Sequence, residues 1–253
     1  MCTLSIVTGE NGYILAMNRD EKIVRGPGTL PQSRELRGTK IIYPSDGAGG
    51  TWIAANDSGI ALALLNWNDS QRALNPSIRS RGPVIPGLVA SRSLAEVQAT
   101  LTTMDLQGVP PFRLVGVFPS EWEVWEWRWN SAEIDSQVHR WQPRHWFSSG
   151  ISDDQARNLR AAVCQGASIK PDAGSAEWLQ RLHASHENGP GPFSICVHRD
   201  DVKTLSYSEV ACTSEKLQFR HYAGSPCMID FHQMETERPV FTTTEFKRWA
   251  SGD

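Results

Sequence analysis

Residues 1–21 read MCTLSIVTGENGYILAMNRDE, and this stretch decides the fold. Thr3-Leu4-Ser5-Ile6-Val7 alternates polar and apolar residues, and Tyr13-Ile14-Leu15-Ala16-Met17 is a second apolar run. Between them lies Gly9-Glu10-Asn11-Gly12, whose Asn-Gly dipeptide readily takes φ > 0 and is a strong hairpin signal. The second strand continues into Asn18-Arg19-Asp20-Glu21, so a hairpin brings these four residues back beside Cys2.

Position makes Cys2 a candidate nucleophile. Once Met1 is removed, Cys2 carries a thiol and a free α-amine that titrates at about 7.7–8.0. Such an amine can take the thiol proton at neutral pH without a histidine. Arg19, opposite across the hairpin, is expected to stabilise the thiolate and lower its pKa, with Asp20 holding Arg19 or the α-ammonium. The alternative is that Cys2 is a small buried residue at the start of a strand and the charged quartet a solvated strand end.

Onward from the quartet, Gly26-Pro27-Gly28 and Pro31 mark a loop, and Ile41-Ile42-Tyr43-Pro44 is a short strand. Asp46-Gly47-Ala48-Gly49-Gly50 is a tight turn without the lysine of a phosphate-binding loop. Thr51–Ala55 and Ile60–Leu65 form a second hairpin ending at Asn66-Trp67-Asn68. An amide there can donate to a developing oxyanion, or simply cap the strand. Pro86-Gly87 breaks the pattern before a helix capped by Ser93-x-x-Glu96, with Leu94, Val97, Leu101 and Met104 at helical spacing. Phe112–Phe118 and Trp122–Trp129 are strands, and Trp125, Trp127 and Trp129 share one face. That ladder reads as a sheet face under helices rather than a platform for a flat ligand.

A helix capped by Ser152-x-x-Gln155 is predicted to turn Ala156, Leu159, Ala162 and Val163 inward and to stop at Gly166. A third helical segment runs through Trp178, Leu179 and Leu182 to His183 and His186. Those histidines, three apart and without partners at ligand spacing, read as a surface pair, and no metal site is expected. Phe193–His198 and Thr204–Val210 read as strands, with Cys196 and His198 on one face as a Cys-His catalytic pair or a metal pair. Another strand falls near Leu217–Tyr222, and Thr243–Trp249 is expected as a short terminal helix. Two batches of antiparallel strands with helices between them fit a layered α+β architecture, and no linker divides residues 1–253 into more than one domain.

Composition narrows the function. A net charge of −3, with Lys and Arg dispersed, argues against nucleic-acid binding. No apolar run approaches the roughly 20 residues of a membrane span, and no secretory signal is visible, so a cytoplasmic location is expected. Five scattered cysteines form neither a disulfide framework nor a paired Cys-x-x-Cys zinc site.

Met1-Cys2-Thr3-Leu4, Asn18-Arg19-Asp20-Glu21, Gly49-Gly50-Thr51-Trp52, Gly59 with Leu65-Asn66-Trp67, and Ser80-Arg81-Gly82 stand in an order that resembles the NRDE family. That family is named for its Asn-Arg-Asp-Glu motif and includes the transport and Golgi organisation 2 proteins. The resemblance implies the N-terminal-nucleophile hydrolase fold, an αββα four-layer sandwich of two antiparallel sheets. The opening hairpin also resembles that of cholylglycine hydrolases, which cleave linear amides with an N-terminal Cys. By that likeness Cys2 is the nucleophile, Arg19 and Asp20 orient it, and Asn66 is an oxyanion donor. Asn18, Glu21, Trp52, Trp67, Arg81, Ser149 and His198 are then expected to bind substrate, with Ser149 standing where those hydrolases have a further Asn. The implied activity is hydrolysis of a non-peptide amide C–N bond of a small molecule, with no cofactor required. Family members are also implicated in haem trafficking, which implies a second reading: a non-enzymatic protein with haem as its cargo.

Overall fold

The computed structural model describes residues 2–68, 79–187 and 189–231, together with the backbone of Val240–Thr242. In chain order the elements are β1 (Cys2–Gly9), β2 (Gly12–Lys22), β3 (Gln32–Leu36), β4 (Thr39–Tyr43), β5 (Ile53–Asn56), β6 (Ala61–Asn66), α1 (Val84–Leu88) and α2 (Leu94–Thr103). There follow β7 (Phe112–Phe118), β8 (Glu123–Trp129), β9 (Ile134–His139), β10 (Arg144–Ser148), α3 (Asp153–Ser168), α4 (Ala176–His183), β11 (Val202–Thr213), β12 (Lys216–Ala223) and β13 (Val240–Thr242). Among the described residues they make two antiparallel sheets, ordered β10-β1-β2-β11-β12-β13 and β3-β4-β5-β6-β7-β8-β9.

Strand alternation sorts side chains into three apolar layers. Leu4, Ile6, Leu15 and Met17 point between the sheets, where they meet Ile53, Ala63, Leu65 and Val115. Ala16, one residue out of phase, lies under α3 and α4 with Val163, Trp178, Leu179 and Tyr207. On the far side Ile85, Leu88, Val97 and Leu101 of α1 and α2 cover Leu62, Leu114, Trp127 and Trp129. The order is therefore helix, sheet, sheet, helix, as expected, and the tryptophan ladder is a covered sheet face. Thr3 and Ser5 are also fully buried. The polar half of the β1 pattern thus faces polar groups under α3 and α4, not solvent: Thr3 Oγ1 accepts from Arg160, and Ser5 Oγ bonds His145 and His183.

The Asn-Gly turn does close the opening hairpin, with Gly12 at positive φ (145°), where any Cβ would lie 1.9 Å from the Cys212 carbonyl oxygen of β11. Several expectations need correction. Three strands were not foreseen: the exposed edge strand β3 (residues 32–36), β9 and β10. Pro86-Gly87 lies inside α1, and Gly166 inside α3. In α3 Leu159 and Ala162 face outward while Arg160 and Cys164 face inward. Phe193–His198 is irregular save for one bridge from His198 to Lys203. Pro190 and Pro192, which lack N–H groups, precede this stretch, and the Ile195 carbonyl accepts from the Asn18 side chain rather than from a ladder. Thr243–Trp249 lies outside the described residues.

One carboxylate ties the sheets together. Glu126 of β8 is 1% exposed. It accepts from Arg128 Nε (2.7 Å), His139 Nε2 (2.9 Å) and Trp146 Nε1 (3.1 Å), the last reaching across from β10. Burial alone would raise its pKa, but these bonds hold it down at about 2. Burial lowers the His139 pKa, so the neutral ring donates. Because the folded value lies below the unfolded one near 4.5, this stabilisation is present above about pH 4.5 and disappears as pH falls toward 2. It amounts to about 3 kcal/mol. Urea midpoints measured from pH 6 to pH 3 should fall steeply for the native chain and less for Glu126→Gln. Parallel pH slopes would show that Glu126 is not the group responsible.

Candidate active site

The β1–β2 register sets Cys2 opposite Arg19, and the β1–β10 register sets Cys2 opposite Ser148. Cys2 and Arg19 share the phase of Leu4, Leu15 and Met17, so both face the space between the sheets. Asn18 and Asp20 take the other phase, toward α3 and α4. Cys2 is 7% exposed, and its N–H donates to Ser148 Oγ at 2.9 Å.

A cleft of about 260 Å³ lies beside Cys2. Cys2, Arg19, Asp20, Glu21, Trp52, Asn66 and Arg81 line it, with Arg25, Asp46, Leu64 and Arg79. Arg19 lies 4.3 Å above the Trp52 ring, donates to Gly26 O at 2.8 Å, and comes within 3.8 Å of Glu21. Arg25 bridges Glu21 and Asp46. Asp20 is braced separately, by Thr204 Oγ1 (2.6 Å) and by the Arg160 guanidinium (3.8 Å). At the rim Gly50 and Gly82 almost touch: Thr51 N–H donates to Gly82 O, and a Cβ on Gly50 would lie 2.6 Å from the Gly82 Cα. The Gly-Gly-Thr-Trp and Ser-Arg-Gly motifs therefore meet as one wall.

Four expected binding residues lie elsewhere. Asn18 is fully buried, and its amide donates to His183 O and Ile195 O, so it anchors β2 to the loop after α4. Ser149 is fully buried at the start of α3, where its Oγ accepts from Ile151 N–H and its own N–H donates to Asp153. Ser148, its neighbour, is the residue beside Cys2. Trp67 stands outside the cleft lining, with Arg113 5.9 Å from its ring centre and its backbone N–H donating to Pro111 O. His198 sits away from the cleft with Cys196 and Cys227. Nor do His183 and His186 pair: His183 is buried on Ser5, and His186 packs edge-on to His198.

Sequence reading missed Arg160, Thr204 and Ser148. Arg160 is fully buried and donates to Thr3 Oγ1 (2.9 Å) and to the carbonyls of Cys2 (3.3 Å), Ser148 (3.4 Å) and Pro192 (3.3 Å). Its position, four residues after Ala156 and three before Val163, is the one signal that places it inward.

The electrostatics of Cys2 differ from expectation. Burial pushes the thiol pKa up, the Asp20 charge adds to that rise, and Arg19 only partly opposes it. The resting group is a thiol, and a nearby base is needed to ionise it. Arg19→Lys keeps one charge but cannot both span Gly26 O and lie flat on Trp52. The pH midpoint of Cys2 alkylation should therefore move further upward in Arg19→Lys. Superimposable curves would reduce Arg19 to a structural brace.

This architecture is shared with solved structures. Penicillin V acylase from Agrobacterium tumefaciens matches at TM-score 0.52 and 13% identity, over 87% of this chain and 82% of its own. Two variants of conjugated bile acid hydrolase from Clostridium perfringens, one with a cysteine-to-alanine and one with an arginine-to-leucine change, each match at TM-score 0.53 and 11% identity. Both alignments cover 96% of this chain and 97% of theirs. Likeness at such identities is one of fold, that of the N-terminal-nucleophile hydrolases. No curated protein sequence matches the chain. The profile of the Transport and Golgi organisation 2 family matches residues 1–162, a span that holds both faces of the Cys2 hairpin, the cleft walls and Arg160. The chain belongs to the Transport and Golgi organisation 2 family.

Proposed function

We propose that the protein is a cysteine hydrolase of a small-molecule, non-peptide amide, with Cys2 as nucleophile once residues before it are removed. The observation that carries this reading is the convergence of Cys2, Arg19 and Asn66 on one cleft of about 260 Å³. That volume is slightly below the roughly 300–1,000 Å³ of typical ligand pockets, which suits a small acyl group. The α-amine of Cys2 takes the thiol proton, and the thiolate attacks the amide carbon. Asn66, at the open end of β6, donates to the oxyanion. The C–N bond breaks as the α-ammonium returns its proton to the leaving amine. Water then cleaves the Cys2 thioester, releasing a carboxylic acid and restoring the thiol. Arg25 is paired with Glu21 and Asp46 and Arg79 with Asp105, while Arg19 and Arg81 are the lining cations placed to meet a substrate carboxylate, such as that of an N-acyl amino acid.

Haem as cargo draws less support from the same residues. His198 is outside the cleft, Cys2 is the one sulfur in its lining, and the tryptophan ladder is covered by helices. The test is intact-mass analysis after mixing with N-acyl amino acids of graded chain length, with peptide mapping of any adduct. An acyl mass on Cys2 is expected. Failure of every acyl donor to modify Cys2 or release amine, with saturable haem binding in its place, would overturn the proposal.

A further inference from the structure

Beyond the family-matched residues, four side chains from three separate pieces of chain converge on one point. His186 follows α4, Cys196 and His198 belong to the irregular segment before β11, and Cys227 lies in the 3-10 turn after β12. Each offers one nitrogen or sulfur, and all four atoms lie within 4.8 Å of one another. His198 Nε2 is 3.5 Å from Cys196 Sγ and 3.3 Å from Cys227 Sγ. Tetrahedral zinc, with bonds of about 2.3 Å to sulfur and 2.0–2.1 Å to nitrogen, sets nitrogen–sulfur separations near 3.5 Å. His186 packs edge-on to His198, with ring centres 4.8 Å apart, and its Nε2 is buried without a hydrogen-bond partner. A buried polar atom left unsatisfied costs about 1–3 kcal/mol, so that nitrogen points to something that binds there.

We propose that His186, Cys196, His198 and Cys227 hold one zinc ion in a closed structural site. Two thiolates and two imidazoles without a carboxylate suit zinc and not magnesium or calcium. Four protein ligands leave no open position for a substrate or an activated water. The ion would join segments up to forty-one residues apart (His186 to Cys227). It would also stiffen the back of β2. Ile195 O receives Asn18, and Val197 N–H donates to Thr204 Oγ1, the hydroxyl that also donates to Asp20. The zinc thereby acts as a staple on segment 195–197, which lies one hydrogen bond from Asn18 and two from Asp20, the residues that flank Arg19.

The purified full chain is stripped with a chelator and titrated with zinc, then with cobalt. One zinc per chain is expected, together with a rise in melting temperature and protection of Cys196 and Cys227 from alkylation. One cobalt should give a sulfur-to-metal charge-transfer band and the intense visible absorption of tetrahedral coordination. Cys227→Ala, at the half-exposed side of the cluster, should weaken binding by more than the ~10–100-fold cost of losing an outer hydrogen-bond partner, and should diminish the sulfur band. Cys164→Ala, a buried thiol of α3 outside the cluster, should change neither. Zinc content well below one per chain after reconstitution of the native chain overturns the proposal. So does a cobalt spectrum without a sulfur band, or a Cys196–Cys227 disulfide in protein that had never been metal-stripped.

Discussion

Cys2→Ser should lower kcat/KM for a cleaved N-acyl substrate by about 10³–10⁶-fold while the fold persists. Serine conserves size at a site only 7% exposed and keeps the backbone bond to Ser148. It puts a far less acidic and less nucleophilic group beside an amine titrating near 7.7–8.0, so proton transfer and attack are both less favourable. In the native chain the rate should rise as pH climbs through the apparent pKa of the amine–thiol pair, because the base must be free to take the proton. Steady-state kinetics and adduct mass together decide the matter. Turnover within tenfold of native in Cys2→Ser would make Cys2 a packing residue, since the cleft would then act without its sulfur.

The second large effect is on stability. Arg160→Met retains apolar volume inside α3 but removes the cation beside Asp20 and the guanidinium bonds to the carbonyls of Cys2, Ser148 and Pro192. Asp20 is 2% exposed, and burial already raises its pKa against the pull of Arg160. Breaking one side of a buried ion pair costs about 3–5 kcal/mol. Urea denaturation should register that loss in Arg160→Met, and Arg160→Met/Asp20→Asn should recover part of it because no uncompensated charge remains. A loss below about 1 kcal/mol in the single variant would place Asp20's compensation elsewhere.

The parts of this molecule legible in sequence are those governed by short-range pattern. Period-two alternation and the tight turn at Gly12 gave the opening hairpin and hence the Cys2–Arg19 register. The serine caps at Ser93 and Ser152 gave the starts of α2 and α3. What escaped was burial of polar groups, because their partners are distant in sequence. Arg160 interrupts the apolar stripe of its helix and is understood only beside Asp20, 140 positions earlier. Asn18 sits in a charged motif yet spends its amide on two carbonyls more than 160 residues away. Edge strands such as β3 expose every residue and so carry no alternation. The expected lowering of the Cys2 pKa failed for a related reason: the charge of Arg19 is visible in the sequence, whereas the depth of burial that outweighs it is not.

The contact between Gly50 and Gly82 bears on how this cleft can diversify. Each backbone occupies the space where the other's side chain would stand, so neither position tolerates enlargement. A compensating change is unavailable as well, because the opposite residue is already the smallest there is. Drift along a lineage cannot cross this point by a neutral pair of substitutions. Novelty in substrate choice must come from the surrounding wall, through positions such as Arg25, Leu64 and Arg79.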